Sequence, residues 1–187
     1  MKVVETDLPG VLLIEPDVYA DDRGYFFETF RDARYRESGM PDVFRQDNLS
    51  FSRARVLRGL HLQHPGGQAK LVFTVEGEIF DVAVDVRVGS PHFGRWMGAR
   101  LSADNRHQLF IPEGFAHGFC VLSEEARVAY KCTALYDPKT EMSIAWEDPD
   151  IAIAWPVSAP RLSAKDAAAP RLRDIDPARL PRFGSGT

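Results

Sequence analysis

The sequence predicts an all-β fold of the sandwich or barrel kind. Its clearest strand runs from Ile79 to Val88, where Phe80, Val82, Val84, Val86 and Val88 fall on one face and Asp81, Ala83, Asp85 and Arg87 on the other. Alternation with period two marks a half-buried antiparallel strand. Further short apolar segments follow at close intervals with turn residues between them, and helical periodicity is scarce. That combination argues for a closed or two-layered all-β architecture.

Taken in order, Val11 to Glu15 is a short apolar strand stopped by Pro16. Asp21-Asp22-Arg23-Gly24 has turn chemistry. Tyr25 to Phe30 carries aromatics at four of six positions, a composition strands favour. Asp32 to Ser38 is polar and helix-like before Gly39 and Pro41, and Phe44 to Ser52 alternates loosely. Val56 to Val72 has strand-like flanks around a turn at Pro65-Gly66-Gly67. Gly89-Ser90-Pro91-His92 turns the chain, and Gly94–Leu101, Gln108–Ile111, Gly118–Leu122 and Arg127–Leu135 supply more strands. From about Ser158 the composition shifts to Ala, Pro and Arg, which predicts a C-terminal extension with short helical turns and a frayed Gly184–Thr187. There is no internal repeat and no linker before Pro156, so residues 1–187 are expected to form one domain.

The chain has 187 residues and 44% hydrophobic content, enough for one sizeable core. A formal charge of −4 gives no reason to expect nucleic acid, so local basic pairs read as site features. No apolar run approaches the ~20 residues that span a bilayer, and the N-terminal residues lack an apolar signal core. A cytoplasmic protein is expected, with no membrane partner. Cys120 and Cys132 fit as reduced, buried thiols, although they could face each other on neighbouring strands.

Chemistry concentrates around Arg58, His61 and Lys70. If the flanking strands line one cavity, it holds a proton acceptor between two cations, which suits a phosphate-bearing substrate with an acidified C–H bond. Imidazole has an ordinary pKa near ~6.5 and can accept a proton at neutral pH; the alternative is a satisfied core histidine. A metal site is not evident. His61 and Gln63 share a strand face, His64 points away, and only His117 offers a second imidazole, short of a typical ligand set. His92 and His107 lie in turn-like contexts without an assigned role.

Seven motifs, in order, carry a family resemblance: Asp22-Arg-Gly-Tyr-Phe-Phe-Glu28, Gln46-Asp-Asn-Leu-Ser50, Arg58-Gly-Leu-His61, Gln68-Ala-Lys70, Gly89-Ser-Pro-His-Phe-Gly-Arg-Trp96, Pro112-Glu-Gly-Phe-Ala-His-Gly118 and Ser163-Ala-Lys-Asp166. From about Leu12 to Leu172 the chain resembles the dTDP-4-dehydrorhamnose 3,5-epimerase family of metal-free cupins. The resemblance implies a cupin jelly roll with no cofactor that epimerises a 4-keto-6-deoxy sugar on dTDP. It implies His61 as general base, Asp166 as its orienting carboxylate, Lys70 as stabiliser of the O4 enolate and Tyr130 as general acid. Arg23, Phe26, Glu28, Gln46, Asn48, Arg58, His117, Tyr136, Glu141 and Lys165 would bind the substrate, with Tyr136 stacking on thymine. It also implies a homodimer in which the Arg23–Glu28 strand reaches the neighbouring subunit.

Each role has an ordinary alternative. Ser163 to Asp166 also reads as a helix cap, in competition with the His61 partnership for the Asp166 carboxylate. Tyr130 could be a half-buried strand aromatic. A phenol near pKa ~10 is a poor acid unless tuned, and Lys70 is expected to tune it downward. Leu62 stands where the family often has an aromatic, and the Pro65-Gly66-Gly67 turn is unusually flexible. Three other functions stay open on sequence: a single-carbon epimerase of antibiotic-sugar synthesis, a metal-dependent cupin enzyme, and a non-catalytic sugar-nucleotide binder.

Overall fold

The computed structural model describes residues 1–41 and 43–184. In chain order the strands are β1 (Lys2–Glu5), β2 (Leu12–Glu15), β3 (Val18–Asp21), β4 (Gly24–Phe27), β5 (Gln46–Arg53), β6 (Leu57–Gln63) and β7 (Lys70–Glu76). They continue as β8 (Glu78–Asp85), β9 (Trp96–Ser102), β10 (Gln108–Ile111), β11 (Phe115–Val121), β12 (Glu125–Cys132) and β13 (Glu141–Ser143). Helix α1 covers Asp32–Glu37 and α2 Ala164–Ala167. One sheet has the order β1-β2-β10-β7-β12-β5, the other β13-β6-β11-β8-β9, and among the described residues β3 pairs only with β4. From β5 to β8, and again from β9 to β13, the chain passes back and forth between the two sheets. Such crossings are those of a jelly roll, as expected of a cupin.

Three apolar layers hold the sheets. Between them, Val72, Leu109 and Val128 meet Ile79, Phe115, Phe119 and Val121. Outside the six-stranded sheet, Tyr35 of α1 and Met40 cover Ile14, Leu71 and Phe110. The Tyr35 hydroxyl is satisfied there by Gln108 Oε1 at 2.7 Å. Outside the five-stranded sheet, Ile151, Leu172, Ile175 and Leu180 cover Leu60, Leu62, Val82 and Val84.

This last layer corrects the expectation for β8. The strand is buried on both faces, not one: Val82 and Val84 are covered by the C-terminal extension, while Asp81 and Asp85 are fully buried on the other side. The extension is part of the core rather than an appendage. It returns to the sheets through parallel bridges from Arg161 to Val56 and from Arg182 to Val88. The fraying expected at Gly184–Thr187 falls mainly on Ser185–Thr187, outside the described residues.

Other differences have local causes. The strand expected over Tyr25–Phe30 stops at Phe27, because Phe30 turns inward to pack on Tyr35 and Phe44 with ring centroids 5.0 and 5.1 Å away. The β3–β4 hairpin carries Tyr19, Tyr25 and Phe26 exposed. Cys120 and Cys132 are buried and free, but they lie on β11 and β12 in different sheets, so they do not face each other on neighbouring strands.

If the extension belongs to the core, Leu172→Ala should cost about 2–5 kcal/mol, the usual range for emptying a buried leucine site. Denaturant unfolding measures this. A midpoint equal to wild type would show that the segment contributes no packing.

Candidate active site

The site begins with a cross-strand pair. β6 and β11 are antiparallel neighbours, and His61 lies opposite His117. Glycine permits the approach beside them. Gly59 has φ +122°, and a Cβ there would lie 2.6 Å from the Cα of Gly118. The register shifts between His117 and Phe119, directly after this contact. That is the physical content of the glycines in Arg58-Gly-Leu-His61 and Ala116-His-Gly118.

A cavity of about 290 Å³ opens over this pair. Arg58, His61, Lys70, His117, Tyr130 and Asp166 line it, together with Ser50 and Lys165. The histidines come from the five-stranded sheet. Lys70 on β7 and Tyr130 on β12 come from the opposite one. The site thus lies between the two walls of the jelly roll.

Each histidine is held by a carboxylate through Nε2. His61 Nε2 donates to Asp166 Oδ1 at 2.6 Å, which leaves Nδ1 as the nitrogen able to take a proton. Asp166 is 4% exposed. Burial pushes its carboxyl up, but the hydrogen bond and charge of His61 outweigh that and hold it below the ordinary carboxylate range. The expected competition with helix capping does not arise. Ser163 is the N-cap residue, and its hydroxyl accepts from the backbone N–H of Asp166 at 3.1 Å. The cap uses the amide and leaves the carboxylate to His61.

The second pair was not foreseen from sequence. His117 Nε2 donates to Asp81 Oδ1 at 2.7 Å, and Asp81 Oδ2 is buried with no hydrogen-bond partner among the described residues. The available signal was a carboxylate inside an otherwise apolar strand. Reading that face as solvated concealed it. Burial pulls the His117 imidazole below its ordinary value; Asp81 opposes this, and Lys70 and His61 reinforce it. Burial likewise pulls the Lys70 ammonium down, against the influence of Cys132, Asp81 and Glu141.

Tyr130 departs from expectation. Burial raises its phenol above the ordinary value, Cys132 and Glu141 add to that, and the opposing cation is Arg58 rather than Lys70. A raised value keeps the proton on the phenol at neutral pH.

Of the remaining expected residues, Arg58 and Lys165 line the cavity, and a chain of contacts links Lys165 to Glu141, Tyr136, Gln46 and Asn48. Arg58 Nε donates to Ser52 Oγ at 3.0 Å and Nη2 to the Phe51 carbonyl at 3.2 Å, which pins the guanidinium beside the cavity. Gln46 Oε1 accepts from the Tyr136 N–H at 2.8 Å, and Gln46 Nε2 donates to Asn48 Oδ1 at 2.9 Å. Tyr136 donates its hydroxyl to Glu141 Oε2 at 2.9 Å, and Lys165 Nζ meets the same oxygen at 2.6 Å. Arg23, Phe26 and Glu28 are not brought to the cavity. Arg23 pairs with Asp21 at the hairpin turn, Phe26 is exposed on β4, and Glu28 pairs with Arg34 at 3.1 Å. Among the described residues, no group of three or more His, Cys, Asp or Glu side chains is placed to hold a metal ion.

The family model described as dTDP-4-dehydrorhamnose 3,5-epimerase matches residues 5–174. The chain belongs to the dTDP-4-dehydrorhamnose 3,5-epimerase family. A relative of that name from Neisseria gonorrhoeae is 56% identical over 90% of this chain, which spans only 52% of that relative's length. One from Salmonella typhimurium is 54% identical, with 92% of this chain and 96% of the relative aligned. A solved dTDP-6-deoxy-D-glucose-3,5-epimerase from Legionella pneumophila, in complex with dTDP-4-keto-L-rhamnose, superimposes with a TM-score of 0.96 at 50% identity, covering 98% of this chain and 99% of that one.

The His117 environment gives a pH prediction. An unfolded histidine titrates near ~6.5, and the folded one titrates lower. Between those values the unfolded chain binds more protons, so stability falls as pH falls. His117→Asn keeps a donor for Asp81 without the titration. Its melting temperature should drop less than wild type's between about pH 7 and about pH 5. Equal drops would mean that His117 is not the group responsible.

Proposed function

We propose that the protein inverts C3 and C5 of dTDP-4-dehydro-6-deoxy-D-glucose to give dTDP-4-dehydro-L-rhamnose, a precursor of dTDP-L-rhamnose. One observation carries this reading: a histidine braced for proton uptake and a tyrosine that keeps its proton line one cavity from opposite sheets, with a lysine among them. Inversion needs an acceptor on one face of a sugar ring and a donor on the other. The activity named for the relatives, and the ligand named in the Legionella structure, support the choice of sugar.

The chemistry follows from the 4-keto group, which acidifies the hydrogens on C3 and C5. His61 Nδ1 takes one of them, and the electron pair left on carbon delocalises onto O4 as an enolate. Asp166 stabilises the imidazolium through Nε2, as in other His–Asp pairs. The Lys70 ammonium, which lines the same cavity, is assigned to the negative charge that develops at O4. A preorganised cation of this kind can be worth several kcal/mol. Tyr130 then gives its proton to carbon from the opposite face, and solvent restores both groups before the second inversion. Burial suits Lys70 to this role, because its charge is worth most when met by the enolate's in a poorly solvated site. Arg58 suits the pyrophosphate, since its fork matches two oxygens. Lys165 and Glu141 border the nucleotide, and Tyr136 offers its ring to thymine.

We further infer a homodimer with composite sites. The β3–β4 hairpin exposes Tyr19, Tyr25 and Phe26, and β5 is an edge strand with Leu49 and Phe51 exposed. Exposed apolar groups beside an open strand edge suit self-association. Arg23 and Phe26 lie away from the cavity of their own chain, and a partner's cavity would give them a substrate to bind. The buried free thiols fit a reducing, cytoplasmic setting.

With a 4-keto reductase present, wild type should convert the substrate to dTDP-L-rhamnose. His61→Ala should lower turnover by about 10²–10⁴-fold with dTDP affinity nearly unchanged. Near wild-type turnover would remove His61 as the base. The composite site is tested by mixing Arg23→Ala and His61→Ala chains. One site of each mixed dimer then holds His61 with an intact partner Arg23, so activity should recover to about half of wild type per dimer. Failure to recover in proven mixed dimers would place Arg23 outside the partner's site.

A further inference from the structure

Gln63 is a buried polar side chain that the reaction described above does not use. It lies two residues beyond His61 on β6 and is 8% exposed. Its three side-chain hydrogen bonds all go to backbone. Nε2 donates to the Gly66 carbonyl at 2.7 Å and to the Leu135 carbonyl at 3.2 Å. Oε1 accepts from the Asp137 N–H at 2.9 Å. The residues on either side of Tyr136 are therefore held by one amide. Tyr136 itself is 51% exposed and lies between β12 and β13, outside regular secondary structure. Its placement comes from its backbone and from its hydroxyl contact with Glu141.

We propose that Gln63 is a positioning residue for nucleobase recognition: by clamping the backbone around Tyr136, it fixes the aromatic platform relative to the strand that carries His61. This deepens the proposed function and rests on its reading of Tyr136 as the thymine-stacking residue. The clamp needs two donors and an acceptor at the end of one side chain of this length. A carboxylate supplies no donor, and an apolar group supplies neither. Losing the amide removes three part-buried hydrogen bonds that tie Gly66, Leu135 and Asp137 to β6, and the segment around Tyr136 is then free to move. Arg58 is anchored separately, on Ser52 and Phe51, so the phosphate contacts should not follow that movement.

The test uses the full-length protein and isothermal titration with two probes, dTDP and inorganic pyrophosphate, alongside steady-state kinetics. Gln63→Leu should weaken dTDP binding and raise KM by about tenfold, as expected for losing part-buried hydrogen bonds that hold the loop, with pyrophosphate affinity and kcat within about twofold. Tyr136→Ala should weaken dTDP selectively in the same way. The double variant should be little worse than Tyr136→Ala alone, because the clamp acts through that ring. If Gln63→Leu does not fold, Gln63→Glu preserves size and the acceptor and is judged by the same criteria. If Tyr136→Ala loses dTDP selectively and the Gln63 variant does not, the proposal is overturned while the Tyr136 reading stands. If both probes weaken equally in the Gln63 variant, Gln63 is merely structural and the proposal falls. If Tyr136→Ala leaves dTDP affinity unchanged, the stacking reading fails first and takes the proposal with it.

Discussion

The hydrogen bond from His61 Nε2 to Asp166 Oδ1 joins the two parts of the molecule on which everything else depends. His61 belongs to a central strand of the five-stranded sheet. Asp166 belongs to the C-terminal extension, whose Leu172, Ile175 and Leu180 bury the outer face of that same sheet. Packing on the outside therefore sets the position of a carboxylate on the inside. Each buried leucine or isoleucine contributes about 1.5–3 kcal/mol, against about 1.5–3 kcal/mol for a hydrogen bond to a charged group. Three such residues outweigh the single bond, so apolar packing places Asp166 and the bond then fixes the imidazole.

Desolvation gives the cavity its chemical character. The same burial lowers the Lys70 ammonium and the His117 imidazole from their ordinary values, and raises the Tyr130 phenol and pushes the Asp166 carboxyl upward. For Asp166 a specific partner, His61, reverses the outcome, as Lys165 and Tyr136 do for Glu141 at the edge of the site. The result is an anion beneath His61 and a protonated phenol on the opposite wall. An isolated buried charge costs several kcal/mol unless it is paired. This accounts for carboxylates buried at 4% and 0% exposure, each with a histidine Nε2 at hydrogen-bond distance.

Much of this was legible in the sequence, because strands announce themselves through alternation and turns. The positions of most β-strands, the helix near Asp32 and the short turns after Ser158 follow from local chemistry. The gathering of His61, Lys70, Tyr130 and Asp166 required the family motifs, since no local pattern relates residues so far apart in the chain. What escaped was non-local. Whether β8 has one buried face or two depends on a segment about ninety residues downstream, counted from Val82 to Leu172. Asp81 was hidden by the same misreading. The direction in which Tyr130 shifts depends on how deeply β12 is buried and on Arg58, neither of which can be read from a spacing. Arg23 and Phe26 sit on a hairpin that its own chain leaves exposed, so their role hinges on a second subunit.

The central claim is proton removal and return at two carbons across one cavity. It is tested most directly by incubating the enzyme with dTDP-4-dehydro-6-deoxy-D-glucose in D₂O and following C3 and C5 by NMR. The account predicts solvent deuterium at both carbons, in step with formation of the L-sugar. Deuterium at a single carbon would contradict the double inversion and identify a single-carbon epimerase. Inversion without incorporation at either carbon would contradict proton transfer through the solvent-exchangeable groups of His61 and Tyr130.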